Sequence, residues 1–599
     1  MATMARWCAL LATLMAIPVL AEKQFPSPVA DEKNSDYWYN LGKSELMEAL
    51  DKPILTNVAK NVILFLGDGM GVTASTAGRI LKGQKKGRSG EEGYLVWERF
   101  PNIGLMKTYN LDKQVPDSAG TATAYLTGVK ANYYTLGVNG NVKLGDCAAS
   151  LKSENRLDSI LKWAQDAGKD TGVVTTAQVT HATPAGLYAK SANRKWQCDS
   201  KIMAAGPDAL KCKDIARQLV EDEPARNMKV IIGGGRQEMG VPKYPDIEDS
   251  CLRKDGRNLP QEWQNDKAAR GKTHAYVTTT RELWSVNIDD NGALMGSVDR
   301  SLHQLKTTLI TPILSTFANQ PRTTTPLPLP PPPPGLFGDV HVPYEVDRNT
   351  TLDGTPHLRE MVEVAIKRLQ RSDEGFFLMV EGGRIDHGLH YGQPRRALEE
   401  LLAMEEAVQA AMEMVDMEET LMVITADHSH VMTINGYPAR GNNILGKVEF
   451  NEDVTDGMPY TTLMFTNGHG FNYSWNGEEV MRLNLTGIDT SAKDFEALAG
   501  VPTHEGSETH GGEDVAAYAI GPMSHLFHRV HEQNYVAHVM AYSSCIGPYS
   551  ECDRPVRAPK NAYTHVKGNR KQVISSGVSM SVASSVSVVI AVFVLAFRL

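Results

Sequence analysis

The sequence predicts an α/β protein with a large central, mostly parallel sheet flanked by helices on both faces. Three observations carry this. Short apolar runs recur at Val62 to Leu66 (VILFL), Gly172 to Thr176 (GVVTT), Lys229 to Ile232 (KVII), Phe376 to Val380 (FFLMV) and Leu421 to Thr425 (LMVIT). Helical stretches lie between them, such as RLDSILKWAQDAG and PHLREMVEVAIKRLQ (Pro356 to Gln370). Strands without polar alternation are buried on both faces, and their alternation with helices builds a parallel sheet. Third, acidic residues and histidines gather immediately behind three of the runs, and the carboxyl ends of strands are where such sheets bind ligands.

Residues 1–21 place Arg6 before an apolar stretch from Trp7 to Leu20, with Val19 and Ala21 as small residues before a cut near Ala21, the pattern of a secretory signal peptide. DYWYNLGKSELMEAL, Asp36 to Leu50, has helical patterning and precedes the first strand. Residues 22–575 are expected to form one domain, since large α/β folds run as one core even where length alone allows roughly three or four units. About Thr307 to Pro334, ending in five prolines, lacks the N–H donors of a sheet or helix and is an exposed insert. The tail from Val586 to Leu599 is apolar but short of the ~20 residues a spanning helix needs. With the small residues Ser575, Ser576 and Gly577 upstream, 576–599 reads as a glycolipid (GPI) anchor signal that is removed, a short genuine anchor being the alternative. The protein is then held on the extracellular face of the plasma membrane.

Composition excludes other classes. With 599 residues, 42% hydrophobic and 22% charged, the chain is neither mainly disordered nor a disulfide mini-scaffold. Lys and Arg number 61 against 70 Asp and Glu, a net charge of -9 without a basic block, so no nucleic-acid partner is expected. Of the seven cysteines, Cys8 leaves with the signal peptide, and an even set in an exported chain reads as disulfides. Cys545 and Cys552 are close enough to close a small loop; Cys147, Cys198, Cys212 and Cys251 allow three pairings. Sequons for glycosylation stand at Asn349, Asn472 and Asn484.

The chemistry-bearing residues follow the strands. Asp68 lies in GDGMG; Glu381, Asp386, His387 and His390 in EGGRIDHGLH; Asp427, His428 and His430 in ADHSH. Asp386 and His390 are spaced i, i+4, and His387 and His390 i, i+3, so either pair shares a helix face. Mixed nitrogen and carboxylate donors suit zinc, whereas all-oxygen donors such as Asp68 and Glu381 suit magnesium. Any one of these residues alone is more often a cap or a surface histidine; three strand-end clusters together imply one shared metal site. Ser118, in VPDSAGTATAYLTG, follows a helix-breaking proline, and Asp117 or Ser118 caps the helix that continues from it. A hydroxyl there sits where an anion is favoured. Arg194 in SANRKW has the planar fork that clamps phosphate.

Taken in order, FLGDGMG, VPDSAGTATAYLTG, HATPAGLYA, GFFLMVEGGRIDHGLH, VITADHSH and ETHGGEDVA resemble the animal alkaline phosphatases, from about Asp36 to Asp553 outside the proline-rich insert. The resemblance implies that family's fold with a small crown insertion, about 436–500, and a phosphomonoesterase with two zinc ions and one magnesium ion. It assigns one zinc to Asp386, His390 and His510. The second falls to Asp427, His428 and the bridging Asp68, completed by Ser118, and the magnesium to Asp68, Thr183 and Glu381. His181, His387 and His430 fall just outside the ligands. The chemistry implied is attack by Ser118 on phosphorus, Arg194 holding two phosphate oxygens, a phosphoserine intermediate and its hydrolysis. Recognition concentrated on phosphate leads to broad specificity for phosphate monoesters.

The likeness also implies the pairs Cys147–Cys212 and Cys545–Cys552, leaving Cys198 and Cys251 for a further bridge. It implies a homodimer as well, with the segment near Asp36 to Ala59 reaching over the partner. The family's calcium site is altered: Phe337 and Asp353 persist, but Lys243 and Gly338 replace its two glutamates. A charged lysine cannot ligate a cation, so calcium is expected to be absent or differently bound unless Glu248 or Asp339 substitutes. Two alternatives are weighed. A catalytically inactive secreted homologue that binds phosphate or metal would have lost one of the site residues. A sulfatase-like neighbour carries its nucleophile in a C/S-x-P-x-R context, which DSAGTA is not.

Overall fold

The computed structural model describes residues 31–241, 251–287, 292–297, 340–448, 454–503 and 507–555. The signal peptide, the proline-rich insert, the anchor signal, and Phe337, Gly338, Lys243, Glu248 and Asp339 of the calcium region all lie outside them. Each apolar run of the sequence is a strand: β1 (Asn61–Gly67), β3 (Asp170–Gln178), β4 (Val230–Gly234), β7 (Phe376–Gly382) and β8 (Thr420–Ala426). β7 and β8 are buried at every position. Three further strands are β2 (Asn102–Lys107), β5 (His274–Val277) and β6 (Ala293–Ser297). With Val515–Ile520 and Val530–Glu532 they form a ten-stranded sheet. Its order is Val530–Glu532, β2, Val515–Ile520, β8, β1, β7, β3, β4, β6, β5.

From β8 through β5 every neighbouring pair is parallel, and Val515–Ile520 alone in this sheet runs against its neighbours β8 and β2. Helices are explained by caps and apolar spacing. Leu358–Leu369 starts at His357, which accepts from Arg359 N while Glu360 accepts from His357 N, a reciprocal cap. Its Met361, Val362, Ala365, Ile366 and Leu369 recur at helical spacing and are buried. Removing the methionine, valine, isoleucine and leucine side chains among them from water contributes about 1.5–3 kcal/mol each. The helix Ser35–Leu50, capped by Asn34, buries no residue and leaves Trp38 and Tyr39 exposed.

Between 436 and 501 the chain leaves the main sheet for short hairpins, Lys447–Val448 with Tyr460–Thr461 and Tyr473–Trp475 with Val480–Arg482. Three disulfides close loops, Cys147–Cys212, Cys198–Cys251 and Cys545–Cys552. The sequon residues Asn472 and Asn484 are exposed and Asn349 is half-buried. Asp353 pairs with Arg281 at 2.9 Å on the surface.

Candidate functional site

Four adjacent strands, β8, β1, β7 and β3, deliver the site at their carboxyl ends. Gly67 of β1 is level with Gly382 of β7 and Ala426 of β8, so Asp68 and Asp427 leave the sheet side by side. Glu381 is level with Leu66 on one side and Thr175 on the other. Thr175 Oγ1 donates to its carboxylate. His181 and Thr183 follow directly behind β3. The turn after β1 needs glycine: Gly69 has φ +71°, and a Cβ there would lie 2.4 Å from the His430 ring.

Asp117, not Ser118, caps the helix Ser118–Thr127, accepting from Ala119 N and Gly120 N at 3.0 and 3.2 Å. Ser118 is buried at the head of that helix with Oγ 3.2 Å from His428 Nε2. Arg194 Nη1 donates to Asp117 at 3.2 Å, and Nη2 lies 3.0 Å from His181 Nε2, which holds the guanidinium beside the serine.

The remaining groups form overlapping sets of donors whose atoms lie within 4.8 Å of one another: Asp386, His428, His430 and His510; His390, His430 and Glu508; Asp68, His181 and Glu381; Asp68, Asp427 and His428. His510 arrives on the short strand His510–Gly511, which pairs with Ser429–His430. His390 Nδ1 faces the carbonyl of Glu508 at 2.6 Å and His510 Nδ1 that of Pro116 at 2.8 Å. A carbonyl only accepts, so each ring carries its proton on Nδ1 and a lone pair on Nε2. Burial keeps both neutral, lowering each to about 4. The two Nε2 lone pairs therefore face each other at 3.0 Å beside Asp386, whose Oδ1 is 3.4 and 3.5 Å away, an arrangement that fits a shared cation.

Carboxylate electrostatics point the same way. Burial and the neighbouring Asp427, Asp386 and Glu381 raise Asp68 well above the usual range, and neither of its buried oxygens has a hydrogen-bond donor. Burial likewise lifts Glu381 to about 8. Against burial, His428 holds Asp427 at about 2. Burial and Arg194 lower His181 to about 3. Burial disfavours a charged His430, yet Glu508 and Asp386 raise it to about 10. An excess of buried negative charge with unfilled oxygens suits divalent cations.

The carboxylates, imidazoles, Ser118, Thr183 and Arg194 named from the sequence thus converge here, whereas Asp353 is on the surface; His387 borders the site, its ring centroid 5.5 Å from that of His181 and its Nδ1 3.0 Å from Arg384 Nη1. Sequence reasoning missed Glu508, although it lies in the quoted ETHGGEDVA, and His341, whose ring centroid is 4.2 Å from that of His387.

The alkaline phosphatase family model matches residues 59–307 and 331–546. The chain belongs to the alkaline phosphatase family. It is accordingly a phosphoric monoester hydrolase. Among relatives of this alkaline phosphatase, the tissue-nonspecific isozyme of Gallus gallus is 45% identical over 526 residues, covering 86% of this chain and 91% of the relative. That of Homo sapiens is 42% identical over 525 residues, covering 86% and 90%. A membrane-bound alkaline phosphatase of Bombyx mori is 41% identical over 491 residues, covering 82% and 81%. The fold matches the Thermus thermophilus alkaline phosphatase at a TM-score of 0.53 and 21% identity, covering 87% of this chain and 97% of that one. Among the described residues no helix is long and apolar enough to cross a membrane.

Proposed function

We propose that this alkaline phosphatase hydrolyses phosphate monoesters of broad specificity through a phosphoserine at Ser118, with two zinc ions and one magnesium ion. The observation that carries the reading is the meeting of Ser118, Arg194 and the carboxylate and imidazole clusters at the ends of four neighbouring strands. Asp386, His390 and His510 would hold one zinc, Asp427, His428, Asp68 and Ser118 the other, and Asp68, Thr183 and Glu381 the magnesium. When bound, the cations stabilise charge on the transferring phosphoryl group and favour the ionised Ser118 hydroxyl.

Ser118 Oγ attacks phosphorus in line, the bond to the leaving oxygen breaks, and a phosphoserine forms. Arg194, fixed by Asp117, holds two phosphoryl oxygens through both nitrogens of its fork. Water then cleaves the phosphoserine, releasing phosphate and returning a proton to Ser118. No group in this scheme grips the alcohol, which supports broad specificity. The inactive-homologue reading lacks support, because Asp68, Ser118, Arg194, Glu381, Asp386, His390, Asp427, His428 and His510 are all present and buried or half-buried together.

The signal peptide and the anchor signal make the mature protein a glycosylated, GPI-anchored ectodomain. The helix Ser35–Leu50, with no buried residue of its own, supports a homodimer in which it reaches the partner. The deciding experiment is p-nitrophenyl phosphate hydrolysis at high pH by the secreted ectodomain, before and after chelation and with zinc and magnesium restored. Loss and recovery are expected; no turnover from folded, metal-loaded protein would favour the inactive homologue.

A further inference from the structure

We infer that Glu508 is a positioning residue that sets the metal-binding geometry of the Asp386, His390 and His510 cluster. The inference rests on the reading of that cluster as a zinc site. Glu508 stands two residues before His510 with its side chain fully buried. Its polar groups address both other arms of the cluster. The backbone N donates to His390 O at 2.8 Å and the carbonyl accepts from His390 Nδ1 at 2.6 Å, so His390 is gripped at main chain and ring together. One carboxylate oxygen accepts from Val431 N at 2.7 Å and the other pairs with His430 Nδ1. The far nitrogen of that ring, His430 Nε2, lies 2.7 Å from Asp386 Oδ1.

The carboxylate of Glu508 thus acts on Asp386 through one imidazole. With its Nδ1–H accepted by Glu508, the His430 ring cannot turn, and Asp386 is held with one oxygen 3.4 Å from His390 Nε2 and 3.5 Å from His510 Nε2. The Gly468 backbone packs close against Glu508, so that a Cβ added at Gly468 would come within 2.9 Å of Glu508 Cβ. Groups that orient ligands in this way typically change metal affinity by about 10- to 100-fold when removed. Glu508→Gln keeps the volume and the Val431 contact but sets an amide NH2 against the His430 Nδ1–H.

The test is zinc release from the full-length protein to a chromogenic chelator, compared among the unmodified protein, Glu508→Gln, His430→Asn and the double variant. Alongside it go the visible spectrum of the cobalt(II)-substituted protein and thermal unfolding of each metal-free form. Release about tenfold or more faster in Glu508→Gln, an altered cobalt spectrum, an unchanged metal-free Tm and a double variant no faster than the worse single one are expected. Release within about twofold of the unmodified protein overturns the inference, as does a metal-free Tm that falls as far as the metal-loaded one. An unmodified protein that retains no zinc overturns the metal reading instead. Should Glu508→Gln not fold, unchanged release from His430→Asn overturns the inference.

Discussion

Asp117 links Ser118 to Arg194. The same carboxylate caps the Ser118 helix, accepts from Tyr134 N at 2.8 Å and holds Arg194. Asp117→Ala is expected to lower stability by about 1 kcal/mol from the lost cap, read in urea unfolding. It should also weaken inhibition by inorganic phosphate about tenfold, the equivalent of ~1.4 kcal/mol. An unchanged inhibition constant would show that Arg194 needs no such anchor. Ser118→Ala should abolish the acid-trapped phosphoserine and nearly all turnover; near-normal rates would remove Ser118 from the mechanism. At this scale the sequence offered Asp117 or Ser118 as the cap, of which the structure selects Asp117, but gave no sign of the pairing of Asp117 with Arg194, which is a contact between distant loops. Glu508 was hidden for the same reason: its partners His390 and His430 lie far away in the chain, and a glutamate before a histidine carries no periodic signal.

Among elements, the turn behind β1 and the helix Pro394–Met414 carry separate predictions. Gly69→Ala forces a positive φ on a side chain aimed at a His430 ring that is pinned on both sides, and should cost about 1–3 kcal/mol together with most turnover. Retained activity would mean that the ring can give way. On the long helix, Glu400 is buried and accepts from Glu345 N at 2.6 Å. Burial raises it from 4.5 to about 8. An acid raised on folding binds its proton more tightly in the folded state. Its share of stability is therefore intact below about pH 4.5 and is lost as pH climbs toward about 8, at up to ~1.4 kcal/mol per pH unit. Glu400→Gln should flatten that decline when unfolding is measured from pH 5 to 9; parallel curves would refute the assignment.

The parallel strands were legible because burial on both faces leaves unbroken apolar runs. β2, with the pattern NIGLMK and alternate residues exposed, and Val515–Ile520, rich in alanine, gave no such run. Helix ends were legible within a few residues, since caps such as Asn34 and His357 are local chemistry.

For the molecule as a whole, one ten-stranded sheet carries the strands that deliver the site, and the third disulfide settles what cysteine counting left open. Replacing Cys198 and Cys251 by serine should cost about 2–4 kcal/mol, seen as a lower unfolding midpoint; no shift would mean that the bridge is dispensable. The family match breaks off at 307 and resumes at 331, within the run of prolines. Deleting the residues between 307 and 331 is therefore expected to leave turnover within about twofold, and a collapse of activity would make that segment part of the enzyme. The reversed strand Val515–Ile520 also bears on the order in which the chain is made. Because it runs against β8, its leading end lies over the carboxyl edge, and His510, just before it, reaches the cluster from a stretch synthesised long after Asp68 and Ser118. A growing chain therefore cannot assemble the full set of donors until nearly all of the sheet has been translated, and premature termination between Ser118 and His510 leaves a fragment that carries the serine but lacks one of the clustered histidines.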